Sequence, residues 1–181
     1  MFTRQTWLIL ALAVIAAACG AWLQHRSQLA HVPAGITVAN VGDLQPDPLL
    51  RDLDGHEHHL SDYRGRRVLL NFWASWCGPC LDEMPALAQA QTKFGEQGSI
   101  VIGIAMDDPA KARAFLAAHP VNYPILLGQL TSPSTSLLFG DAAEVLPYSV
   151  LLDGDGRILA IQQGTLNAAQ LQAWLAPTSG H

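Results

Sequence analysis

Charge is what this chain has least of. Only 14% of its 181 residues are charged, against 50% hydrophobic, and the formal net charge is −5. Lysine and arginine nowhere cluster, so the electrostatic footprint of a nucleic-acid binder is missing. A chain this apolar is not disordered over most of its length, and its mild acidity is a solubility feature rather than a sign of a partner. Cysteine is scarce as well: Cys19, Cys77 and Cys80 are the whole set. A secreted disulfide scaffold would carry more, in even number. A tetrahedral zinc site would need four ligands, and no second cysteine pair exists to supply them. There is no internal repeat, and the run "TSPSTS" at Thr131–Ser136 is too short for a low-complexity domain; it reads as a loop leading into a helix. The length suits one domain with appendages.

The first appendage is apolar. "WLILALAVIAAACGAWL", Trp7 to Leu23, carries no charge over roughly 17 residues, the short end of what spans a bilayer. Arg4 and the α-amino group precede it and Arg26 follows, a bias that favours the N-terminus inside. Three readings are open. Residues 1–23 are an uncleaved membrane anchor, a cleaved signal peptide, or, through the small residues before Cys19-Gly20, a lipoprotein signal; Ala16 departs from the leucine usual three places before such a cysteine. All three put the remainder outside the cytoplasm. Residues 24–35, polar and ending in Pro-Ala-Gly, form a linker. A folded domain is expected over 36–176, followed by a short tail at 177–181.

Within that domain, Leu49–Leu53 and His56–Leu60 flank Asp54-Gly55 as a hairpin. Val68–Ala74 is an apolar run of strand length, as a buried central strand should be. Leu81, Met84, Leu87 and Ala88 are spaced for a helix over 79–94, with Pro85 expected to kink it. Ser99–Met106 reads as a second buried strand, Asp108-Pro109 as a helix start, and Tyr123–Leu127 as a short strand. Asp153-Gly154-Asp155-Gly156 joins Ser149–Leu152 to Arg157–Gln162 in a hairpin, and Asn167 with Gln170 forms a capping box for a last helix. This order predicts an α/β domain: a mixed central sheet, helices on both faces, and an N-terminal β-hairpin extension.

The remaining question is what Cys77 and Cys80 do. A metal site would have to recruit "HEHH" at His56–His59, which reads better as a solvated edge strand. A bridge spanning two intervening residues closes too small a loop to stabilise much. Redox chemistry fits the placement. Cys77 ends the strand and opens the helix, where free N–H groups and the helix dipole favour a thiolate. Cys80, one turn on, can attack the resulting mixed disulfide. Pro79 stiffens the first turn and lacks an N–H there, and Trp73 and Trp76 supply apolar surface. A CxxC between a buried strand and a helix is the thioredoxin-like arrangement.

The segment "SDYRGRRVLLNFWASWCGPCLDEMP" resembles the membrane-tethered TlpA/ResA/CcmG (DsbE) branch of the thioredoxin superfamily, and "VLPYSVLLDGDGRI" resembles that family's proline segment. The resemblance spans about Val38 to Leu175. It implies a thioredoxin-like fold and a protein thiol-disulfide oxidoreductase with no cofactor beyond the Cys77–Cys80 disulfide. It also implies that Pro147 is cis and faces the CxxC, that the backbone of Leu146 pairs with an incoming substrate strand beside Trp76, Gly78 and Pro79, and that Glu83 takes part in proton transfer. Thioredoxin carries a buried aspartate where Asn71 stands, which makes Glu83 the more interesting carboxylate, since a neutral amide cannot accept the proton.

The "CGPC" spacer is of the reducing type: thioredoxin lies near −270 mV and the oxidant DsbA near −120 mV. The resemblance therefore implies a monomeric electron donor to disulfides of exported proteins, in cytochrome c maturation or copper-site assembly. It would sit on the bacterial inner membrane facing the periplasm, tethered by its N-terminal segment, and be re-reduced by a transmembrane thiol reductase of the DsbD/CcdA type. A general periplasmic oxidant or isomerase, and a copper- or haem-handling binding protein using "HEHH" with the thiols, are the alternatives. A thiol peroxidase fits less well, its reactive cysteine lying in a setting unlike "WCGPC".

Overall fold

The computed structural model describes residues 35–177 and, ahead of them, residues 7, 10, 11 and 13–21. The chain divides into two compact units, Met1–Gly35 and Ile36–His181. In the first, residues 10, 11 and 13–21 are helical and exposed. Among the described residues no helix is long and apolar enough to cross a membrane. The anchor and signal readings rest partly on residues 1–6, 8–9, 12 and 22–23, and the linker and tail on 24–34 and 178–181; these lie outside the described residues.

The second unit is built on a seven-stranded mixed sheet. Its strands are β1 Leu50–Asp52, β2 Glu57–His58, β3 Arg67–Trp73, β4 Ser99–Ala105, β5 Ile125–Leu127, β6 Tyr148–Leu152 and β7 Ile158–Gln163. They lie in the order β2-β1-β5-β4-β3-β6-β7. The helices are α1 Gly78–Phe94, α2 Pro109–Ala118, α3 Thr135–Leu138 and α4 Ala168–Leu175. β3 and β4 occupy the middle and run parallel, with Asn71 beside Gly103 and Trp73 beside Ala105. Both are buried almost throughout, which is why they read as continuous apolar runs rather than alternating ones.

Helices flank both faces, unequally. The β3-α1-β4 and β4-α2-β5 crossovers step in the same direction along the sheet. Right-handed connections then place α1 and α2 on one face. Leu87 and Phe94 of α1, Ala112 of α2 and Leu171 and Leu175 of α4 accordingly share one core with Leu69, Trp73 and Val101. The opposite face packs Leu70, Phe72, Ile102 and Tyr148 against Leu60, Phe139 at the end of α3, and Ala39. The N-terminal hairpin extends the sheet beyond β5.

Local chemistry accounts for the element ends. β5 begins only at Ile125 because Pro124 has no N–H for the ladder. α1 remains one helix across Pro85. In the β6–β7 loop Asp153 Oδ1 accepts the N–H groups of Asp155 and Arg157 at 2.9 and 2.8 Å, and Gly156 takes φ 83°, a conformation that favours glycine. α4 starts on the expected capping box: Asn167 Oδ1 accepts the Gln170 N–H at 2.9 Å and Gln170 Oε1 accepts the Asn167 N–H at 3.0 Å. "TSPSTS" does lead into a helix, α3, whose cap is Ser134 Oγ. The Ser132–Pro133 bond is cis, a feature no local pattern announces.

Candidate active site

Cys77 is the N-cap of α1: its backbone is extended, and its Sγ accepts the Cys80 N–H at 3.3 Å. Its own N–H donates to the Ala74 carbonyl at 3.1 Å, and its carbonyl accepts from Cys80 and Leu81. Gly78 and Pro79 fill the first turn, and the Cys80 N–H is the backbone donor that reaches the Cys77 sulfur. The two cysteines are joined in a disulfide. Cys77 keeps 4% of its surface exposed and Cys80 1%, while Trp76 beside them is 69% exposed. The sulfur that caps the helix is thus the outer one, and on reduction the helix end favours its thiolate over that of Cys80.

The turn carrying Cys77 is held from the side. Asp107, at the end of β4, accepts the Ser75 N–H at 2.8 Å and the Ser75 hydroxyl at 2.5 Å on Oδ2. Its Oδ1 accepts the Asp108 N–H at 2.8 Å. Burial raises the Asp107 pKa, but these hydrogen bonds outweigh it and hold the carboxyl below the usual aspartate range. Sequence reasoning missed Asp107, because "MDDP" marks only a helix start.

Pro147 is reached through antiparallel pairing of β6 with β3, in which Phe72 faces Tyr148. One step further that register sets Pro147 against the end of β3 that leads into the cysteines. The Leu146–Pro147 bond is cis. The Leu146 side chain packs against the core cluster that contains Cys77 and Cys80, and the Pro147 carbonyl accepts the Gly164 N–H at 2.8 Å. The structure therefore brings Leu146 and Pro147 to the site with Trp76, Gly78 and Pro79.

Glu83 follows Cys80 by three residues on α1, so both lie on one side of the helix. It is a buried carboxyl, 3% exposed. Oε1 accepts the Leu166 N–H at 2.9 Å, whereas Oε2 has no hydrogen-bond partner among the described residues. Burial pushes its pKa up, opposed by the Leu166 N–H and the Asn71 side chain. Asn71 also donates to Ser149 Oγ at 3.1 Å, tying β3 to β6 beneath the site.

The histidine cluster lies elsewhere. His56 Nδ1 and His58 Nε2 both meet Asp52 Oδ2, at 2.9 and 3.3 Å. Asp52, Asp54 and His56 could share an ion, but they form an exposed group on the edge hairpin. Four strand spacings of about 4.8 Å separate β2 from β3, which ends at the cysteine loop. The sheet order thus keeps "HEHH" and the thiols from forming one site.

A parallel strand feeding a helix capped by an exchangeable cysteine pair, with a cis-proline strand alongside, defines a thioredoxin-like thiol-disulfide oxidoreductase. The chain belongs to the AhpC/TSA family, whose model matches residues 41–161. It is 33% identical over 140 residues to the thiol-disulfide oxidoreductase ResA of Geobacillus kaustophilus, covering 77% of this chain and 78% of the relative. The ResA of Bacillus subtilis is 29% identical over 145 residues, with 78% of each chain covered. Among solved structures, a Chlorobium tepidum protein described as thiol:disulfide interchange protein DsbE is 31% identical, with a TM-score of 0.66 over 77% of this chain and 100% of that one. The ResA/DsbE resemblance read from "SDYRGRRVLLNFWASWCGPCLDEMP" therefore holds across most of the chain.

Proposed function

We propose that this oxidoreductase donates electrons to disulfides of exported proteins from the outer side of the bacterial inner membrane, where residues 1–23 hold it. The observation that carries the chemistry is the position of Cys77 as the cap of α1. Reduced Cys77, ionised by the helix end, attacks a substrate disulfide; a mixed disulfide forms and one substrate thiolate leaves. Cys80, relieved of its proton by Glu83, attacks the Cys77 sulfur. The Cys77–Cys80 disulfide forms, the second substrate thiolate leaves, and two electrons have passed to the substrate. The oxidised pair is the state described here.

Trp76, Gly78, Pro79, Leu146 and Pro147 form the docking surface for the substrate strand. Exposed Trp76 supplies apolar area, and the Leu146 backbone supplies strand pairing. The chemistry needs no cofactor, and the monomer suffices. A transmembrane reductase of the DsbD/CcdA type returns the electrons, and disulfides formed between the haem-site cysteines of apocytochrome c or between copper-site cysteines are the substrates that suit a membrane-held reductant. The names ResA and DsbE borne by similar proteins support this reading.

Two experiments test it. Cys80→Ala should trap native partners on Cys77; trapping on Cys80 in the reciprocal variant alone would invert the assigned roles. The equilibrium potential of the pair should lie near that of thioredoxin, about −270 mV. A potential near DsbA's would turn the direction to oxidation while leaving the exchange chemistry intact.

A further inference from the structure

Leu146 reaches the docking surface from an irregular segment, residues 140–146, that joins α3 to β6. The root of this segment is closed. Tyr148 Oη donates to the Phe139 carbonyl at 2.9 Å. Gly140, at φ 104°, lies so near that hydroxyl that a Cβ there would be 2.8 Å from it. Beyond the root, Asp141 ties the segment in three ways. Its N–H donates to the Ser136 carbonyl of α3 at 3.1 Å, and its own carbonyl accepts the Glu144 N–H at 3.1 Å. Its side-chain Oδ1 accepts the Val145 N–H at 3.1 Å. One residue thus joins α3 to the two residues that precede Leu146.

Packing alone does not explain an aspartate here. Asp141 is 0% exposed, and its Oδ2 has no hydrogen-bond partner among the described residues. A buried carboxyl with one oxygen unpaired destabilises a fold. Glu144 is unusual as well. It is the one non-glycine residue with positive φ among the described residues, at 50°. Such a conformation persists where the surroundings over-determine it. The Asp141 carbonyl holds the Glu144 N–H, and Glu144 Oε1 accepts the hydroxyl of Ser134, the α3 cap, at 2.7 Å.

The effect of these ties lies one residue on. The Val145 N–H is taken by Asp141, whereas the Leu146 N–H and carbonyl pair with no other backbone group among the described residues. Unpaired backbone groups held in a fixed place are what strand addition by a bound polypeptide requires.

We propose that Asp141 is a positioning residue for substrate docking: by holding the Val145 N–H, its carboxyl keeps the Leu146 backbone in place to pair with an incoming polypeptide strand. This rests on Leu146 as the docking residue. The ligand class that gains from Asp141 is an extended chain around the substrate cysteine. A small disulfide without a peptide backbone reacts at Cys77 and makes no use of the segment.

A merely structural aspartate would not distinguish these substrates. The test uses the reduced full-length protein and two disulfides. One is a synthetic peptide containing Cys-Ala-Ala-Cys-His closed by a disulfide; the other is hydroxyethyl disulfide. Asp141→Ala should lower the ratio of the two rate constants, peptide over small disulfide, by roughly tenfold, about one hydrogen bond to the docked strand. Asp141→Asn, which keeps an acceptor for the Val145 N–H, should recover most of the ratio. An equal fall for both disulfides, an unchanged ratio, or an Asp141→Asn no better than Asp141→Ala each overturns the proposal.

Val145 is 49% exposed, so in Asp141→Ala its N–H can turn to water while the domain stays folded. Should that variant not fold, amide hydrogen exchange in protein that keeps Asp141 replaces it. In Cys80→Ala the Val145 amide should exchange at least about tenfold more slowly than the Leu146 amide. The Leu146 amide should become protected once a single-cysteine peptide is held on Cys77 as a mixed disulfide. A Val145 amide that exchanges as fast as that of Leu146 overturns the proposal. A Leu146 amide left unprotected in the mixed disulfide removes the docking reading beneath it. A protected Leu146 alongside an unchanged rate ratio in Asp141→Ala dismisses Asp141 alone.

Discussion

Asp107 Oδ2 takes both polar hydrogens that Ser75 offers, the backbone N–H at 2.8 Å and the hydroxyl at 2.5 Å, two residues ahead of Cys77. These 32 positions of separation are closed by the parallel pairing of β3 with β4, whose last pair is Trp73 with Ala105. The Met106 N–H adds a bond to the Trp73 carbonyl at 2.7 Å. The cysteine turn is therefore fastened at both of its early residues.

Loss of that fastening should be measurable. Hydrogen bonds to an ionised group contribute about 1.5–3 kcal/mol. Asp107→Ala should lower stability by roughly that much in urea unfolding. Asp107→Asn, which keeps an acceptor, should lose about half. Because the Asp107 pKa is depressed by folding, its contribution is present at neutral pH and fades as pH falls through the folded value, below the ordinary aspartate range. A Cys77 alkylation rate and an unfolding midpoint both equal to wild type in Asp107→Ala would show that the bracket holds nothing.

Glu83 should behave with the opposite sign. Burial raises its folded pKa above the unfolded one. Its neutral form is the one the fold tolerates, so stability is complete at low pH and is lost as pH climbs from the ordinary glutamate range through the raised folded value. Glu83→Gln keeps the neutral shape permanently. The difference in melting temperature between variant and wild type should therefore be small near pH 4 and widen in favour of the variant toward pH 8. Subtracting the two curves removes Asp141, whose carboxyl is also raised by burial. Parallel curves would place the Glu83 titration outside this window.

What the sequence made legible was whatever a short stretch decides for itself. Strands β3 and β4 announced themselves by unbroken apolar runs, the β6–β7 hairpin by Asp-Gly-Asp-Gly, α4 by its Asn167–Gln170 box, and Cys77 by standing between strand and helix. The hairpin at Leu50 to His58 was visible but shorter than expected; its outer strand β2 lies at the sheet edge and pairs with β1 alone. Hidden were the contacts that register creates. Ser75 meets Asp107, Glu83 meets Leu166, and Tyr123 comes over Gly103 only once the order β5-β4-β3-β6 is set. No spacing within one segment carries that information. Glu83 itself was marked by resemblance, but that one of its oxygens would be left without a partner was not.

Gly103 offers a steric test of the packing behind the cysteines. An added Cβ would come within 2.6 Å of Ile125 Cδ1. The isoleucine end can shift, but Trp73 and Tyr123, the other neighbours, are rings held by the core. Gly103→Val should cost about 1–3 kcal/mol by overpacking, measured as a lowered urea midpoint at unchanged slope. A midpoint unchanged within error would mean that the space over Gly103 is larger than described.

The cap of α4 connects the far end of the domain to the active site. Asn167 and Gln170 satisfy each other's backbone N–H groups, and the residue just before the cap, Leu166, gives its N–H to Glu83. Asn167→Ala should cost about 1 kcal/mol, the usual worth of an N-cap. It should also do something an isolated cap would not. Loosening the first turn of α4 loosens the Leu166 donor, one of the groups that oppose the rise in the Glu83 pKa. The Glu83 step in the stability-versus-pH curve should then move to higher pH in Asn167→Ala. The same substitution in Glu83→Gln should retain the cost of the cap and show no such movement. A pH step that stays where wild type has it, alongside a stability loss of the expected size, would mean that α4 supports the fold but not the carboxyl.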